Sequence, residues 1–389
     1  MATIRKRSWN SGGEAKTAWI CDYADQDGTR RLKTFKTRKE ADGWLVEARH
    51  QVKSGTHTAD SASVAIGEAA DLWLARCERD NLEQSTMVGY RSHVVYHIKP
   101  LIGALKLSRL TAPRVQEFVD QLLAGGRSRA LAKKVVGSLS MLVSEAQRRG
   151  LTAQNPVREV RVRLPKRDRG RPEMPSHDEL RAILAAAAGR WRPLIVTLIF
   201  TGLRGSEARG LKWADVDLEE RVLRVRQRVD QWGAFGSPKS AAGTRDIPLA
   251  PIVVNTLREW RLACPKGDLD LVFSNGAGKV ESHANILHRG FGPVQVAAGI
   301  VRPKVDAAGA PMLGADGQPI VAPKYSLHAL RHAAAALLID HGTSPKRLQA
   351  IMGHESIQMT FDLYGYLLDL RDDDRAGMER FGARLLAAG

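Results

Sequence analysis

The chain has 389 residues, with 59 Lys and Arg against 42 Asp and Glu and a formal net charge of +17, so it is strongly basic and long enough for two or three domains with cores of their own. Its N-terminus has no apolar signal core, and no run approaches the roughly 18 apolar residues of a membrane span, so a soluble, cytoplasmic protein with no membrane partner is expected. Cys21, Cys77 and Cys264 lie far apart without metal-ligand spacing, which excludes a disulfide framework and a zinc site, while the charge suits a protein bound along phosphates or a generic basic protein.

Three composition regimes follow one another. Residues 1–60 open with Ile4-Arg5-Lys6-Arg7 and run through Ala18-Trp19-Ile20-Cys21-Asp22-Tyr23 to Asp25-Gln26-Asp27-Gly28 and Arg30-Arg31-Leu32-Lys33-Thr34-Phe35. Asp-Gly between two alternating segments predicts a hairpin. Thr37 with Glu40 predicts a capping box, and Ala41, Trp44, Leu45 and Ala48 share one face of the helix that follows. The expected product is a small three-stranded sheet backed by a helix. Its basic residues Arg5, Lys6, Arg7, Arg30, Arg31 and Lys33 are candidates to contact nucleic acid, with a plain structural module as the alternative.

Residues 64–160 change to helical periodicity. Ala69, Leu72 and Trp73 mark one helix, Val88, Tyr90, Val94 and Val95 a second, Val115, Phe118, Val119 and Leu122 a third, and Leu131, Val135, Leu139, Leu142 and Val143 a fourth, which predicts a four-helix bundle. Thr86, Tyr90, Arg91, His93, Lys133 and Lys134 are candidate DNA contacts that can equally be solvated surface. The stretch 161–175, with Pro165, Lys166, Arg167, Arg169, Gly170, Arg171 and Pro172, has the composition of a basic linker. Its Lys166, Arg167, Arg169 and Arg171 are further candidate contacts.

From residue 176 the pattern is mixed helix and hairpin, opening with the capping box Ser176-His177-Asp178-Glu179. Arg204 and Glu207 sit in Thr201-Gly202-Leu203-Arg204-Gly205-Ser206-Glu207. Strands are expected over Arg221 to Val229 and Thr244 to Leu249, flanking a long turn that carries Lys239. A Gly/Pro-rich piece from Val305 to Pro323 reads as an inserted hairpin with no assigned role. A helix opening at Ser326 places His328 and Arg331 on one face, three residues apart, where one phosphate can touch both. Arginine offers a planar fork matched to phosphate oxygens, and histidine moves a proton near neutral pH. Ser344-Pro345 reads as an N-cap and first helical position, and Gly353 as the stop, with His354 on the corner and Tyr364 ten positions on. A tyrosine hydroxyl, with a pKa of about 10, needs cationic donors around its target to act as a nucleophile. Met378, Phe381, Leu385 and Leu386 predict a short amphipathic tail helix.

Taken together, the Thr-Gly-x-Arg-x-x-Glu segment, the hairpin lysine, His-x-x-Arg, Gly-His and the tyrosine resemble the tyrosine recombinases, the phage-type integrases, most strongly over residues 172–371. The resemblance implies a multidomain, mostly α fold with small β-sheets. Its parts are an arm-site DNA-binding module over 1–60, a helical core-binding domain over 64–160, a linker over 161–175 crossing the DNA backbone, and a catalytic domain with its tail helix over 176–389. It implies a site-specific recombinase that integrates and excises a mobile element such as a prophage or genomic island. Arg204 and Arg331 then clamp a phosphate, Tyr364 attacks it to form a 3′-phosphotyrosine, Lys239 protonates the leaving 5′-oxygen, and His328 with His354 supports proton transfer.

The resemblance implies no metal or cofactor, and no ATP is needed because the covalent intermediate keeps the bond energy. The implied partners are double-stranded DNA attachment sites, three further copies of the chain in a tetramer on DNA with the tail on a neighbouring protomer, and accessory bending or directionality factors. Blander roles stand beside these: Glu207 as a structural brace for Arg204, His332 as a packing or hydrogen-bonded helix histidine, Lys239 as a solvated loop residue, and Tyr366 as a rival nucleophile. The rival functions are type IB topoisomerase-like relaxation and non-catalytic DNA binding.

Overall fold

The computed structural model describes residues 2–12, 14–25, 28–55, 57, 59–60, 63–163, 172–306 and 309–369, together with 379, 383 and 386. The linker residues Lys166, Arg167, Arg169 and Arg171, the Gln26-Asp27 turn and most of the expected tail helix lie outside the described residues. The chain divides into two compact units, residues 1–167 and 168–389.

The first unit begins with an antiparallel sheet of Thr3–Ser11, Glu14–Ala24 and Arg30–Phe35 in sequence order. Helix Arg38–Lys53 starts at the expected Thr37/Glu40 capping box and packs Ala41 and Leu45 against Cys21 and Tyr23 of the central strand. The bundle follows as Ile66–Arg79, Gln84–His93, Ala112–Ala124 and Arg129–Arg148, around a core that includes Trp73, Ile98, Phe118, Leu139 and Leu142. Three residues assigned to the apolar faces, Leu72, Val88 and Val95, are instead exposed, and Met87 and Ile98 are buried on their helical stretch. The widened π turn at Val94–Ile98 rotates the face that meets the core. Asp60 ties this bundle to the sheet module: its carboxylate binds Lys33 at 2.8 Å and Ser108 at 2.5 Å, and its carbonyl accepts from Lys106 at 2.6 Å.

The second unit is built on the apolar helix Trp191–Thr201, whose Leu194, Ile195, Leu198 and Ile199 are buried in a core shared with Leu223, Ile247, Leu257 and Leu330. Strands Val216–Asp217, Val222–Val225 and Arg245–Pro248 form an antiparallel sheet with Val222–Val225 in the middle. After Val225 the chain leaves this sheet for a short ribbon, Arg228–Val229 with Phe235–Gly236, which breaks the single long strand expected up to Val229. The hairpin expected from Val305 to Pro323 begins earlier than that, with Val301–Pro303 paired to Val321–Pro323. Its exit is clasped to helix His177–Ala186 by Lys324 and Tyr325, which bind Glu179 at 2.8 Å each. Helices Leu327–Asp340, Pro345–Met352 and Ile357–Asp369 close the unit. No described helix is long and apolar enough to cross a membrane.

Candidate active site

Two helix ends make the floor of the site. Helix Trp191–Thr201 stops at Gly202 and helix Pro345–Met352 at Gly353, both left-handed with φ of 62°. A Cβ on Gly202 would stand 2.9 Å from the Met352 sulfur, and one on Gly353 would stand 2.9 Å from an Arg245 nitrogen, so neither corner has room for a side chain. The last carbonyls of a helix lack intrahelical partners and carry partial negative charge. Here they hold arginines.

Arg331 is 3% exposed and donates to Gly202 O at 2.6 Å and to Met352 O. Arg204 donates to Gly353 O at 3.2 Å, and Arg245 to Ile351 O at 2.6 Å. Glu207 is the buried counter-ion. It accepts from the Arg204 side chain at 2.8 Å and from Arg245 at 2.9 and 3.1 Å, while its other duty is to cap the Arg204 backbone N–H at 2.8 Å. Burial acts to raise the Glu207 pKa, but the Arg245 hydrogen bonds and the two guanidinium charges overcome it and hold the carboxylate below its ordinary value. Two guanidiniums thus bind one carboxylate, and the third, Arg331, feels its charge without a hydrogen bond to it. Burial and the Arg204 charge push the Arg331 pKa down to about 9, so it stays cationic at neutral pH and the cluster keeps a surplus of positive charge.

Arg331 brings two histidines with it on helix Leu327–Asp340. His328 is exposed, and His332, one turn on, is half-buried, with the two rings edge to face at 4.8 Å. The Tyr364 hydroxyl lies 2.9 Å from His332 Nδ1, and its side chain is only 1% exposed, packed among Ala335, Ile339, Leu348 and Met352. His354 is buried, its Nδ1 is 2.9 Å from Thr360 Oγ1, and its ring stacks on that of Tyr364 at 6.2 Å and 14°. Burial, with the neighbouring positive charges, drives His332 and His354 down to about 4, and desolvation also lowers His328. Burial pushes the Tyr364 phenol up to about 12. At neutral pH the centre therefore holds neutral imidazoles, a protonated phenol and cationic guanidiniums.

Five of the six expected catalytic residues are joined by these contacts: Arg204, His328, Arg331, His354 and Tyr364. Lys239 is exposed in the loop between Gly236 and Arg245, and among the described residues it makes no hydrogen bond or ion pair. The base of that loop does reach the site, since Gly243 O accepts from Arg245 at 2.9 Å and Ala242 O lies beside Gly353. Tyr366 is half-buried two residues past Tyr364. Sequence reading passed over Arg245 and Thr360 entirely. The available signal for Arg245 was its inward position on a strand, alternating with buried Ile247.

The candidate DNA contacts divide. Arg5, Lys6, Arg7, Lys133 and Lys134 are exposed, whereas Arg30, Arg31 and Lys33 are engaged by Asp22, Asp25 and Asp60 and Arg91 by Glu78. Tyr90 packs on Trp73 at 4.7 Å and its hydroxyl meets the Met141 sulfur at 3.6 Å. Thr86 is half-buried, and His93 Nδ1 meets Ser138 Oγ at 2.8 Å.

Residues 174–369 match the model of the phage integrase family, and residues 65–123 match that of a phage integrase N-terminal SAM-like domain. A tyrosine recombinase XerC-like protein of Caldanaerobacter subterraneus subsp. tengcongensis is 26% identical over 374 residues, which cover 88% of this chain and 90% of that protein. The prophage integrase IntR of Escherichia coli is 26% identical over 330 residues, or 80% of this chain and 79% of its own. Among solved structures, the Tn1549 transposon integrase in complex with transposon right end DNA has a TM-score of 0.64 at 21% identity, covering 82% of this chain and 100% of that one. A lambda integrase tetramer bound to a Holliday junction has a TM-score of 0.55 at 19% identity, covering 87% and 93%. These structures share the fold, and the integrase model spans just over half of the sequence. The chain belongs to the phage integrase family, the tyrosine recombinases.

Proposed function

We propose that this tyrosine recombinase cuts and rejoins double-stranded DNA at specific sites through a 3′-phosphate link to Tyr364, and that it integrates and excises a mobile element. The observation that carries the reading is the surplus of positive charge gathered around one tyrosine hydroxyl from segments more than a hundred residues apart. A phosphodiester supplies the missing anion. Arg204, about a third exposed, is free to turn part of its fork toward a non-bridging oxygen, and Arg331 adds its charge from below. His328 is the exposed ring donor beside them. Lys239, on its loop over Gly353, protonates the leaving 5′-oxygen. Glu207 and Arg245 touch no substrate in this scheme and hold Arg204 and the Gly353 corner in place.

Residues 1–60 serve as an arm-site module, 64–160 as the core-binding domain, 161–175 as the linker and 176–389 as the catalytic domain. Arg5, Lys6, Arg7, Lys133 and Lys134 are the leading backbone contacts, and the linker arginines add to them. Exchange between two duplexes calls for four protomers, with the C-terminal tail on a neighbour and accessory bending proteins setting direction. The test is to mix the protein with duplexes carrying the ends of its element and to look for recombined junctions and protein-linked DNA. Relaxation of supercoils without junctions would favour the topoisomerase reading, and binding without either product would leave a DNA-binding protein.

A further inference from the structure

Two histidine rings, His332 and His354, neighbour the Tyr364 ring, and only one of them is aimed at the hydroxyl. The His354 ring is nearly parallel to the phenol ring, with centroids 6.2 Å apart, and its Nδ1 is committed to Thr360 at 2.9 Å. His328 meets His332 edge to face at 4.8 Å and is exposed. His332 alone places a ring nitrogen, Nδ1, 2.9 Å from the Tyr364 oxygen, within the reach required of a general base. It does so from the same helix as Arg331, one residue away, and one turn from His328. A phosphate held at His328 above the Arg331 charge therefore has the proton acceptor of its attacking group built into the same rigid element.

We infer that His332 is a further catalytic residue, the base that takes the phenol proton as Tyr364 attacks DNA. This rests on the recombinase reading of Tyr364 as nucleophile. In the step, the Tyr364 oxygen forms a bond to phosphorus, its O–H bond breaks, and the proton passes to His332 Nδ1, which leaves an imidazolium. The bond from phosphorus to the 5′-oxygen breaks, and that oxygen takes its proton from Lys239. Strand joining runs the same transfers backwards, with His332 returning the proton to the phenol. The base must be neutral beforehand, and burial beside His328 and Arg331 keeps it so, with a pKa of about 4. A base that weak does not deprotonate the resting phenol, whose pKa is about 12, so transfer follows bond formation to phosphorus, as the phenol oxygen loses its basicity.

The experiment is single-turnover cleavage of a nicked suicide duplex of element-end DNA by the full chain, in two versions: with an ordinary 5′-oxygen and with a 5′-bridging sulfur at the scissile position. Sulfur leaves without a proton, so it rescues a lost acid and not a lost base. His332→Ala should bind the duplex as wild type does and link to it at least about a hundredfold more slowly, on both versions. Lys239→Ala should recover on the sulfur version. His332→Asn keeps a polar atom near the Nδ1 position and supports the fold if alanine does not, and it too should stay slow. Wild-type rates in His332→Ala, recovery on sulfur, or restoration of the rate by His332→Asn would each overturn the assignment, the last by reducing His332 to a hydroxyl-positioning residue. If wild type links to neither duplex, or if Tyr364→Phe still links, the recombinase reading of Tyr364 fails instead.

Discussion

At the scale of single residues the structure separates groups that the sequence treats alike. Tyr364 and Tyr366 are two positions apart, about 200° around a helix, so they cannot face one phosphate together. Tyr364→Phe removes one oxygen and should abolish the DNA-linked band on denaturing electrophoresis while specific binding persists, and Tyr366→Phe should leave the band. Peptide mapping of the linked residue to Tyr366 would sink the assignment. The two arginines also part company. Arg204 is about a third exposed, so Arg204→Ala should lower cleavage at least about a hundredfold with little loss of affinity or stability. Arg331 is buried on two helix ends, so Arg331→Ala should lose cleavage and also melt earlier, by about 3 kcal/mol or more, because two carbonyls and Glu207 lose a buried cation. Equal melting temperatures for both variants would contradict this account of the floor.

Between elements, the three helices that close the second unit meet around Tyr364, and their contact is sensitive to acid. His332 and His354 titrate near 4 in the folded chain against an ordinary 6.5, and the shift has the same downward direction at His57, His93, His97, His283 and His328. Between these values the unfolded chain binds more protons than the folded one. Stability should be complete above about pH 6.5 and decline as pH falls toward 4, by an amount on the order of a few kcal/mol. Melting curves from pH 7 to pH 5, above the range in which Glu145 and Glu179 titrate, isolate this loss, and a flat profile would show that these rings ionise freely.

The N-terminal sheet is a second element with its own expectation. A fragment beginning at about residue 62 should still link to a nicked core duplex while losing affinity for secondary sites. Because Asp60 is cut away, Ser108 and Lys106 lose partners, and the fragment should be less stable than one begun before His57, by about 1 kcal/mol. A folded fragment that neither binds nor cleaves would remove the division of labour between sheet and catalytic unit.

For the whole molecule the dominant quantity is the net charge of +17. Each neutralised phosphate releases counterions, so affinity should fall by roughly a thousandfold or more between about 50 and about 200 mM salt if six or more phosphates are bound. A slope of fewer than about three phosphates, measured by titration on a core-site duplex, would place most of this charge away from DNA. Arg30, Arg31, Lys33, Arg76 and Arg91 each have a carboxylate partner, so these pairs add nothing to that net charge. On a core-site duplex the slope should report exposed basic residues outside the N-terminal sheet, with Lys133 and Lys134 as candidates.

What the sequence determined was whatever depends on neighbours within about one helical turn. The capping boxes at Thr37 and Ser176, the Ser344 cap, the Gly353 stop and the helix bearing His328 and Arg331 all formed where local chemistry put them, while the family was legible in the ordered set of motifs from Thr201 to Tyr364. What only the tertiary structure decided depends on partners far along the chain. Arg245 finds Ile351 106 positions away, Glu207 finds Arg245 at 38, and His332 finds Tyr364 at 32. No periodicity encodes such pairs, because a buried charge or hydroxyl is satisfied by whichever group the packing of separate elements delivers to it. The same physics brought His332 within 2.9 Å of the Tyr364 hydroxyl, and turned Leu72, Val88 and Val95 outward from a core they were suited to join.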